Sequence, residues 1–132
     1  MNSKQKNLIL NITKSEILLS GQRLSEAQKN IEQVLNISPG NYPASIIKAK
    51  ILTSKKEFIK AEEILRDLLI SKNRNPSLWK QLSEVQRAGK NIVGYHLSRG
   101  EYYTLIGDFD NALNQFQFAL SLSGNSLSLI HI

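Results

Sequence analysis

The sequence predicts an all-α protein built from antiparallel helix pairs that stack as an α-solenoid. Apolar residues recur at helical spacing along the 132-residue chain, and no stretch alternates as a half-buried strand does. Similar segments also recur at one repeat length, about 34 residues, and glycine or polar residues break each segment near its middle. These observations predict seven to eight helices and a single domain over residues 1–132.

A shift by one repeat length aligns the small and apolar residues of one segment with those of the next. Ala27 then falls on Ala61, and Leu18 falls on Leu52. A further shift by one and a half repeat lengths places Ala61 on Ala112. Two more columns are apolar throughout: Ile31, Leu65 and Phe116, and Val34, Leu68 and Ala119. Recurrence in three copies indicates a repeat architecture.

The repeat length and the extra half-repeat set the predicted boundaries. The repeats span about 8–41, 42–75 and 93–126, and an unpaired helix at 76–88 is inserted before the last one. The predicted helices span about 5–20, 24–37, 43–54, 58–71, 76–88, 92–106 and 109–122, and an eighth begins near Ser126. Gly21 and Gly107 are candidates for helix C-caps, whereas Ser25 and Asp108 are candidates for N-caps.

The small and large positions of this unit resemble the tetratricopeptide (TPR) repeat. That family favours small residues at positions 8, 20 and 27 and large apolar ones at positions 4, 7, 11 and 24. The matching residues are Leu18, Ala27, Ile31 and Pro39 in the first copy, Ala49, Leu52, Ala61, Leu65 and Leu68 in the second, and Gly100, Tyr103, Ala112, Phe116 and Ala119 in the third. Ser15 departs from the pattern, because Gly or Ala is usual there. The resemblance implies a protein-interaction domain.

A narrower resemblance covers residues 76–122. The segments "NPSLWKQL", "RGEYY" and "GDF" are similar to the C-terminal TPR segment of BepA-type periplasmic zinc metalloproteases. The matching residues are Trp79, Leu82, Glu101, Tyr102, Gly107, Asp108 and Ala112. This resemblance implies a periplasmic location and the docking of outer-membrane proteins, and of their assembly machinery, near a protease domain. The chain has no "HExxH" motif, so it would be the non-catalytic part of such a protein.

No pattern in the sequence indicates catalysis or metal binding. There is no cysteine, and neither His96 nor His131 has companion ligands at metal-site spacing. A "GxSxG" motif is missing, and Asn91 follows Lys90 where a phosphate-binding loop requires Ser or Thr. We therefore expect no catalytic, cofactor-binding or metal-binding residue and no cofactor. His96 is interpreted as a half-exposed structural histidine.

Composition also bears on membranes and location. The uncharged stretch at 111–132 is too polar for a membrane span, and no small-residue cleavage site follows the N-terminal segment. We therefore expect a soluble chain without membrane insertion and without an export signal of its own. It would be periplasmic if the BepA-type resemblance holds and cytoplasmic if the chain is free-standing.

The candidate binding surface is a groove lined by the first helix of each unit, where repeat positions 2, 5, 9 and 12 face inward. The predicted groove residues are Ile12, Glu16, Leu19, Ile46, Lys50, Thr53, Lys80, Glu84 and Arg87. This mixture suits an extended or helical peptide segment better than a phosphorylated or carboxylate terminus, which requires a basic clamp. After Gly89 the half-repeat leaves open which helix faces the groove.

Trp79 and Tyr103 are predicted core residues, whereas Tyr102 is predicted to reach the surface.

Three functions stay open at this stage. The first is the docking part of a periplasmic metalloprotease, and the second is a free-standing TPR adaptor of a pilus or secretion assembly. The third, a nucleic-acid-binding helical repeat, is motivated by the net charge of +6. Because lysines and arginines are interspersed with glutamates, we expect a protein or peptide partner and no nucleic acid. The apolar terminus at 127–132 is expected either to pack on the helix at 109–122 or to support a homodimer.

Overall fold

A computed structural model of the protein describes the backbone of residues 2–130 and the side chains of residues 2–124. This part of the chain contains seven helices: α1 (Ser3–Ser20), α2 (Leu24–Ile37), α3 (Tyr42–Ser54), α4 (Phe58–Ser71), α5 (Pro76–Ala88), α6 (Ile92–Leu105) and α7 (Phe109–Ile130). The described residues form no strand, and the predicted all-α solenoid class is confirmed.

The separate eighth helix expected near Ser126 is instead the last part of α7. The physical reason is local, because Gly124 stays helical and does not take the left-handed conformation that would end a helix there. The homodimer expected through residues 127–132 concerns side chains outside the described part of the chain.

The chain divides into two compact units, residues 1–64 and 65–132, and the boundary falls within α4. In unit 1, α1 packs against α2, and both helices contact α3. In unit 2, α6 packs against both α5 and α7. The organisation of residues 1–132 as one domain, with the repeat boundaries given above, stays a prediction.

The same tight turn joins α1 to α2, α3 to α4, α5 to α6, and α6 to α7. Each turn has one residue with φ between 60° and 82°: Gln22, Lys56, Lys90 and Gly107. The next residue donates its backbone N–H to the carbonyl five residues earlier, at 2.8 to 2.9 Å: Arg23 to Leu18, Glu57 to Leu52, Asn91 to Gln86, and Asp108 to Tyr103. This is the Schellman motif. The second turn lies one repeat length after the first, and the third lies one repeat length after the second. The fourth turn lies only half a repeat length after the third, so the half-repeat of the sequence is also present in the backbone hydrogen bonds.

These turns change the description of the inserted helix. The sequence predicts an unpaired helix at 76–88, but α5 is joined to α6 by a Schellman turn and packs along it. α6 can contact a helix on each side because it carries small residues on two faces. Gly94 and Ser98 lie against Gln86 of α5, whereas Gly100 lies against Phe116 of α7.

Two longer connections separate α2 from α3 and α4 from α5. Asn41 caps α3 by accepting the backbone N–H of Ala44 at 3.0 Å, and Asn75 caps α5 by accepting that of Ser77 at 3.0 Å. A proline lies in the first turn of each of these helices, where it has no hydrogen bond to break. These caps also recur at one repeat length, which the two asparagines in the sequence could have indicated.

The predicted caps are confirmed in part. Asp108 precedes α7 and accepts the backbone N–H of Asn111 at 3.3 Å, as an N-cap does. Ser25 was wrong as an N-cap, because α2 already begins at Leu24, and its cap residue Arg23 makes no side-chain cap bond. Helix α2 starts early because the Schellman turn leads directly into it.

The two predicted C-cap glycines have different roles. Gly107 adopts φ +82°, a conformation that costs glycine little. Gly21 is the C-cap residue of α1, but its own φ is −83°, and the left-handed residue of this turn is Gln22.

The core of unit 1 is one hydrophobic cluster formed by α1, α2 and α3: Ile12, Ala27, Ile31, Val34, Ala44, Ile47 and Ile51. Ser15, which replaces the usual Gly or Ala, is fully buried beneath α2. Its hydroxyl accepts the side-chain amide of Asn30 at 2.7 Å and points at the carbonyl of Ala27, 3.5 Å away. A buried hydroxyl with partners avoids the cost of an unsatisfied polar group. The departure from the family pattern is therefore compensated locally.

The core of unit 2 combines close packing with one buried polar contact. A Cβ atom built on Gly100 would lie 2.5 Å from the ring of Phe116, so no larger residue fits there without a shift. Between α5 and α6, the hydroxyl of Ser98 donates to the side-chain carbonyl of Gln86 at 2.6 Å, and both residues are buried. Gln86 holds repeat position 11, which is a large apolar residue in the other copies, Leu18 and Leu52.

Substitution of Gly100 tests the close approach of α6 and α7. We expect Gly100→Val to lower the free energy of unfolding by about 2 kcal/mol, because overpacking costs ~1–3 kcal/mol. The measurement is urea unfolding followed by circular dichroism. Gly124→Val is the matched control, since a Cβ there meets nothing within 4 Å. Phe116→Ala in the Gly100→Val background should recover part of the loss. Equal losses at Gly100 and Gly124 would contradict the packing role.

The left-handed turn residues generate a second prediction. Gly107→Ala should lower the free energy of unfolding by about 1 kcal/mol, because a Cβ disfavours the left-handed region by ~1–2 kcal/mol. Lys90→Gly, at the equivalent turn position, should leave the stability unchanged or raise it by up to about 1 kcal/mol, since it removes such a Cβ.

Gly40→Ala is the control for these turn variants, because Gly40 has neither a positive φ nor an atom within 4 Å of a built Cβ. Thermal unfolding of the three variants side by side measures the effect. Destabilisation by Lys90→Gly as large as that by Gly107→Ala would overturn the assignment of strain to these turns.

Candidate functional site

Six of the predicted groove residues lie in unit 1, on the neighbouring helices α1 and α3: Ile12, Glu16, Leu19, Ile46, Lys50 and Thr53. Glu16 and Lys50 are exposed. The other four are at least half-buried, and the Thr53 hydroxyl donates to the carbonyl of Ala49 at 2.7 Å within its own helix. The accessible part of this surface therefore consists mainly of Glu16 on α1 and Lys50 on α3.

Ile12 has a different role from the one that its register position predicts. It is 9% exposed and belongs to the hydrophobic cluster with Ala27 and Ile31 of α2. The side chain stabilises the packing of the first three helices and offers almost no surface to a partner. Ile9, nearly one helical turn earlier, is 49% exposed and is the more accessible apolar residue on α1.

The other three predicted groove residues, Lys80, Glu84 and Arg87, lie in unit 2 on a single face of α5. Their spacing of four and three residues places them one above another on a helix, and all three are exposed. The opposite face of α5 is buried through Leu78 and Leu82. Basic and acidic side chains alternate along the exposed face, so it is not a basic clamp for a phosphate or a terminal carboxylate.

Trp79 both packs and lines a surface hollow, whereas the sequence predicts a core residue. The side chain is half-buried, and its indole N–H donates to the carbonyl of Asn73 at 2.7 Å. The hollow beside it measures about 620 Å³ and is lined by Asn73, Arg74, Trp79, Glu101, Thr104 and Leu105. The sequence holds little sign of this hollow, because its lining comes from a loop and from two different helices.

One face of α6 carries an arginine between two tyrosines, which the sequence analysis did not identify. The guanidinium carbon of Arg99 lies 5.7 Å from the ring centroid of Tyr95 and 5.1 Å from that of Tyr103. Arg99 also donates to the Tyr103 hydroxyl at 2.5 Å. The spacing of four residues on either side of Arg99 was the available signal. Tyr103 and Tyr102 are both half-buried, with ring centroids 5.3 Å apart.

His96 is a half-buried residue that joins α6 to α7. Its Nδ1 shares a hydrogen bond of 2.8 Å with the side-chain oxygen of Gln115, and its ring centroid lies 5.2 Å from that of Phe118. These contacts confirm a structural histidine.

No group of three or more His, Cys, Asp or Glu that could hold a metal ion occurs among the described residues. His131 lies outside the described residues.

No helix in the described part of the chain combines the length and the apolar character that crossing a membrane requires.

Three features of the described surface are accessible: the charged face of α5, the exposed positions of α1 and α3, and the hollow beside Trp79.

Comparison with known proteins agrees with the repeated turns and the small residues between helices. A family model of the tetratricopeptide repeat matches residues 18–84, just over half of the chain. Sperm-associated antigen 1 of Rattus norvegicus is 36% identical over 81 residues, which cover 61% of this chain and 9% of that protein. The aligned part is thus less than a tenth of the length of this relative. The recurring Schellman turns, the buried alanines and the matching family model show that the chain belongs to the tetratricopeptide repeat family.

Proposed function

We propose that this chain is a docking module that holds an extended or helical segment of a partner protein and performs no chemistry of its own. The observation that carries the proposal is an exposed first-helix face within each unit: Glu16 and Lys50 in unit 1, and Lys80, Glu84 and Arg87 in unit 2. These five side chains are exposed and therefore accessible to a partner. Repeats of this family suggest a protein-interaction module, which supports the proposal.

The chemistry of these faces favours a partner segment with both charges and apolar residues. An exposed ion pair contributes only ~0.2–1 kcal/mol, so Lys80, Glu84 and Arg87 would select the register of a segment more than bind it tightly. Affinity then requires apolar contacts, which Ile9 and the half-buried Ile46 offer in unit 1. A phosphorylated segment would need a cluster of arginines, whereas basic and acidic residues are mixed on these faces.

We further propose, from the resemblance of residues 76–122, that the module is the docking part of a periplasmic zinc metalloprotease engaged in outer-membrane protein quality control. The resemblance supports this finer role, and the alternative is a free-standing adaptor of a pilus or secretion assembly. The reading frame of the gene separates the two. A signal peptide and an "HExxH" helix encoded in frame upstream would support the protease, and their absence would remove it while leaving the docking module intact.

Selection from a displayed library of random 16-residue peptides tests the docking function. The affinity of the selected peptides is then measured by fluorescence anisotropy. The triple variant Lys80→Ala, Glu84→Ala, Arg87→Ala should weaken binding by about threefold or more, since it removes three exposed contacts of ~0.2–1 kcal/mol each. The matched control, Lys29→Ala, Lys60→Ala, Glu63→Ala, changes the same charges at exposed positions of α2 and α4 and should bind as the unaltered chain does.

Peptides that bind both triple variants equally would place the docking surface elsewhere and overturn the groove assignment. Binding of a 20-nucleotide RNA and a 20-nucleotide DNA at 50 and 200 mM salt tests the nucleic-acid alternative. Electrostatic binding to phosphates should fall steeply between these concentrations. Affinity that shows this fall and exceeds that of the selected peptides would replace the protein-docking proposal.

A further inference from the structure

The hollow beside Trp79 lies at one end of the α5–α6 hairpin and within unit 2. Its walls come from the loop before α5, from the first turn of α5 and from the end of α6. The volume of about 620 Å³ lies within the ~300–1,000 Å³ that ligand pockets usually have. The hollow is therefore large enough to hold one long side chain of a partner.

A hydrogen bond fixes the aromatic wall of the hollow. The Trp79 indole N–H donates to the carbonyl of Asn73 at 2.7 Å. An indole has no other donor, so the ring offers an occupant apolar and π-electron contact instead of a hydrogen bond. The face of a tryptophan ring attracts cations more strongly than that of tyrosine or phenylalanine. An occupant that stacks on this ring is therefore favoured if it is cationic.

The hollow also contains a carboxylate that has no partner within the described part of the chain. Glu101 is half-buried, and its side chain makes no hydrogen bond or ion pair there. In unit 1, by contrast, three glutamates pair with a lysine or an arginine: Glu26, Glu32 and Glu57. A partly buried charge is screened less than an exposed one, so Glu101 attracts an incoming cation more strongly than a surface carboxylate would.

The second charge of the hollow is in a more exposed place. Arg74 belongs to the loop before α5, and its side chain also makes no hydrogen bond or ion pair within the described residues. Because water and salt screen an exposed charge, we expect Arg74 to repel a cation less than Glu101 attracts it. The half-buried Leu105 offers apolar contact, and the Thr104 hydroxyl already donates to the carbonyl of Gly100 at 2.8 Å.

We propose that this hollow binds an arginine side chain of a partner segment. A guanidinium is planar, so it can stack on the Trp79 ring and donate two parallel hydrogen bonds to the Glu101 carboxylate. Its methylene groups would contact Leu105. A lysine ammonium can reach the carboxylate as a point charge but has no plane to stack. The proposal deepens the docking function given above and rests on it for the source of the arginine, a segment of a partner protein.

The arginine subsite and the charged face of α5 are different surfaces. Trp79 directly precedes Lys80, and neighbouring residues of a helix point ~100° apart. The subsite also includes the end of α6, which carries no residue of the charged face. Each surface can therefore be altered while the other is kept.

Titration of the full chain with capped tripeptides tests the subsite without any selected peptide. The probe is acetyl-Gly-Arg-Gly-amide, and the comparison peptides carry Lys, Gln or Glu in place of the arginine. Trp79 is the single tryptophan of the chain, so its indole N–H resonance in a ¹H–¹⁵N NMR spectrum reports on this hollow.

We expect the arginine peptide to shift the indole resonance saturably, with a dissociation constant on the order of millimolar, since so small a ligand makes few contacts. The lysine peptide should bind about threefold more weakly or worse, because it cannot stack as a plane. The glutamine and glutamate peptides should cause no saturable shift.

Three variants separate the two charges of the hollow. Glu101→Gln keeps the shape of the side chain and should weaken binding of the arginine peptide about fivefold or more, because a charge-assisted contact is lost. The matched control, Glu63→Gln, makes the same change at an exposed position of α4 and should bind as the unaltered chain does. Arg74→Gln should leave the affinity unchanged or raise it by up to about threefold, since it removes a like charge. The backbone amide resonances of each variant check that the fold is unchanged.

Four results would overturn the proposal. One is the absence of a saturable shift with the arginine peptide up to about 50 mM. Another is equal binding of the arginine and glutamine peptides, and a third is equal binding by the Glu101→Gln and Glu63→Gln variants. The fourth is tighter binding of the glutamate peptide that Arg74→Gln abolishes, which would make the hollow an acidic-residue site.

Failure of the arginine subsite is distinguishable from failure of the docking function. The tripeptides report on the hollow alone, whereas the library selection reads the loss of affinity on changing Lys80, Glu84 and Arg87. Selected peptides that need the charged face but ignore Glu101→Gln would keep the docking function and remove the subsite from it. Saturable arginine binding without any selected peptide would keep the subsite and remove its assignment to a docked segment.

Discussion

Close approach of paired helices over a small residue is the constraint on which the rest of this structure depends. Gly100 leaves room for the ring of Phe116, and Ser15 lies fully buried beneath α2. Interiors pack at nearly crystalline density, so a side chain added at such a position must displace another one. The helix spacing set there determines which residues on either side become core and which stay free. On α5, for example, Leu78 and Leu82 are buried in packing, and the charged face lies opposite them.

The half-repeat is possible because two neighbouring helices approach the same helix, α6, closely over small residues. α6 presents Gly94 and Ser98 to α5 and Gly100 to α7, so it serves as the second helix of one hairpin and the first helix of another. The buried Ser98–Gln86 hydrogen bond takes the place of the large apolar residue that other copies carry at repeat position 11. A polar pair with both partners satisfied avoids the penalty of an unpaired buried group.

Periodicity in the sequence was sufficient to predict α1 to α6 and the start of α7, because apolar residues at helical spacing and their recurrence at one repeat length both depend on burial. It did not predict that α7 continues through Ser126. The features that periodicity could not predict depend on individual hydrogen bonds and side-chain contacts. The Ser25 cap failed because a Schellman turn leads straight into α2 at Leu24, and Ile12 lies in the core because α2 and α3 both contribute to the cluster around it. The hollow beside Trp79 is formed by residues distant in sequence, and hydrophobic spacing carries no information about such an assembly.

The four Schellman turns share one hydrogen-bond pattern, and two of them follow each other without a longer connection between. The smallest step by which this architecture can change length is therefore one helix with one turn, half a repeat, and not a helix pair. A helix with small residues on two faces allows such a step, since it can pack with a neighbour on either side. An array of this kind can gain or lose a single helix during evolution and still keep the same hydrogen-bonded turn at every such junction.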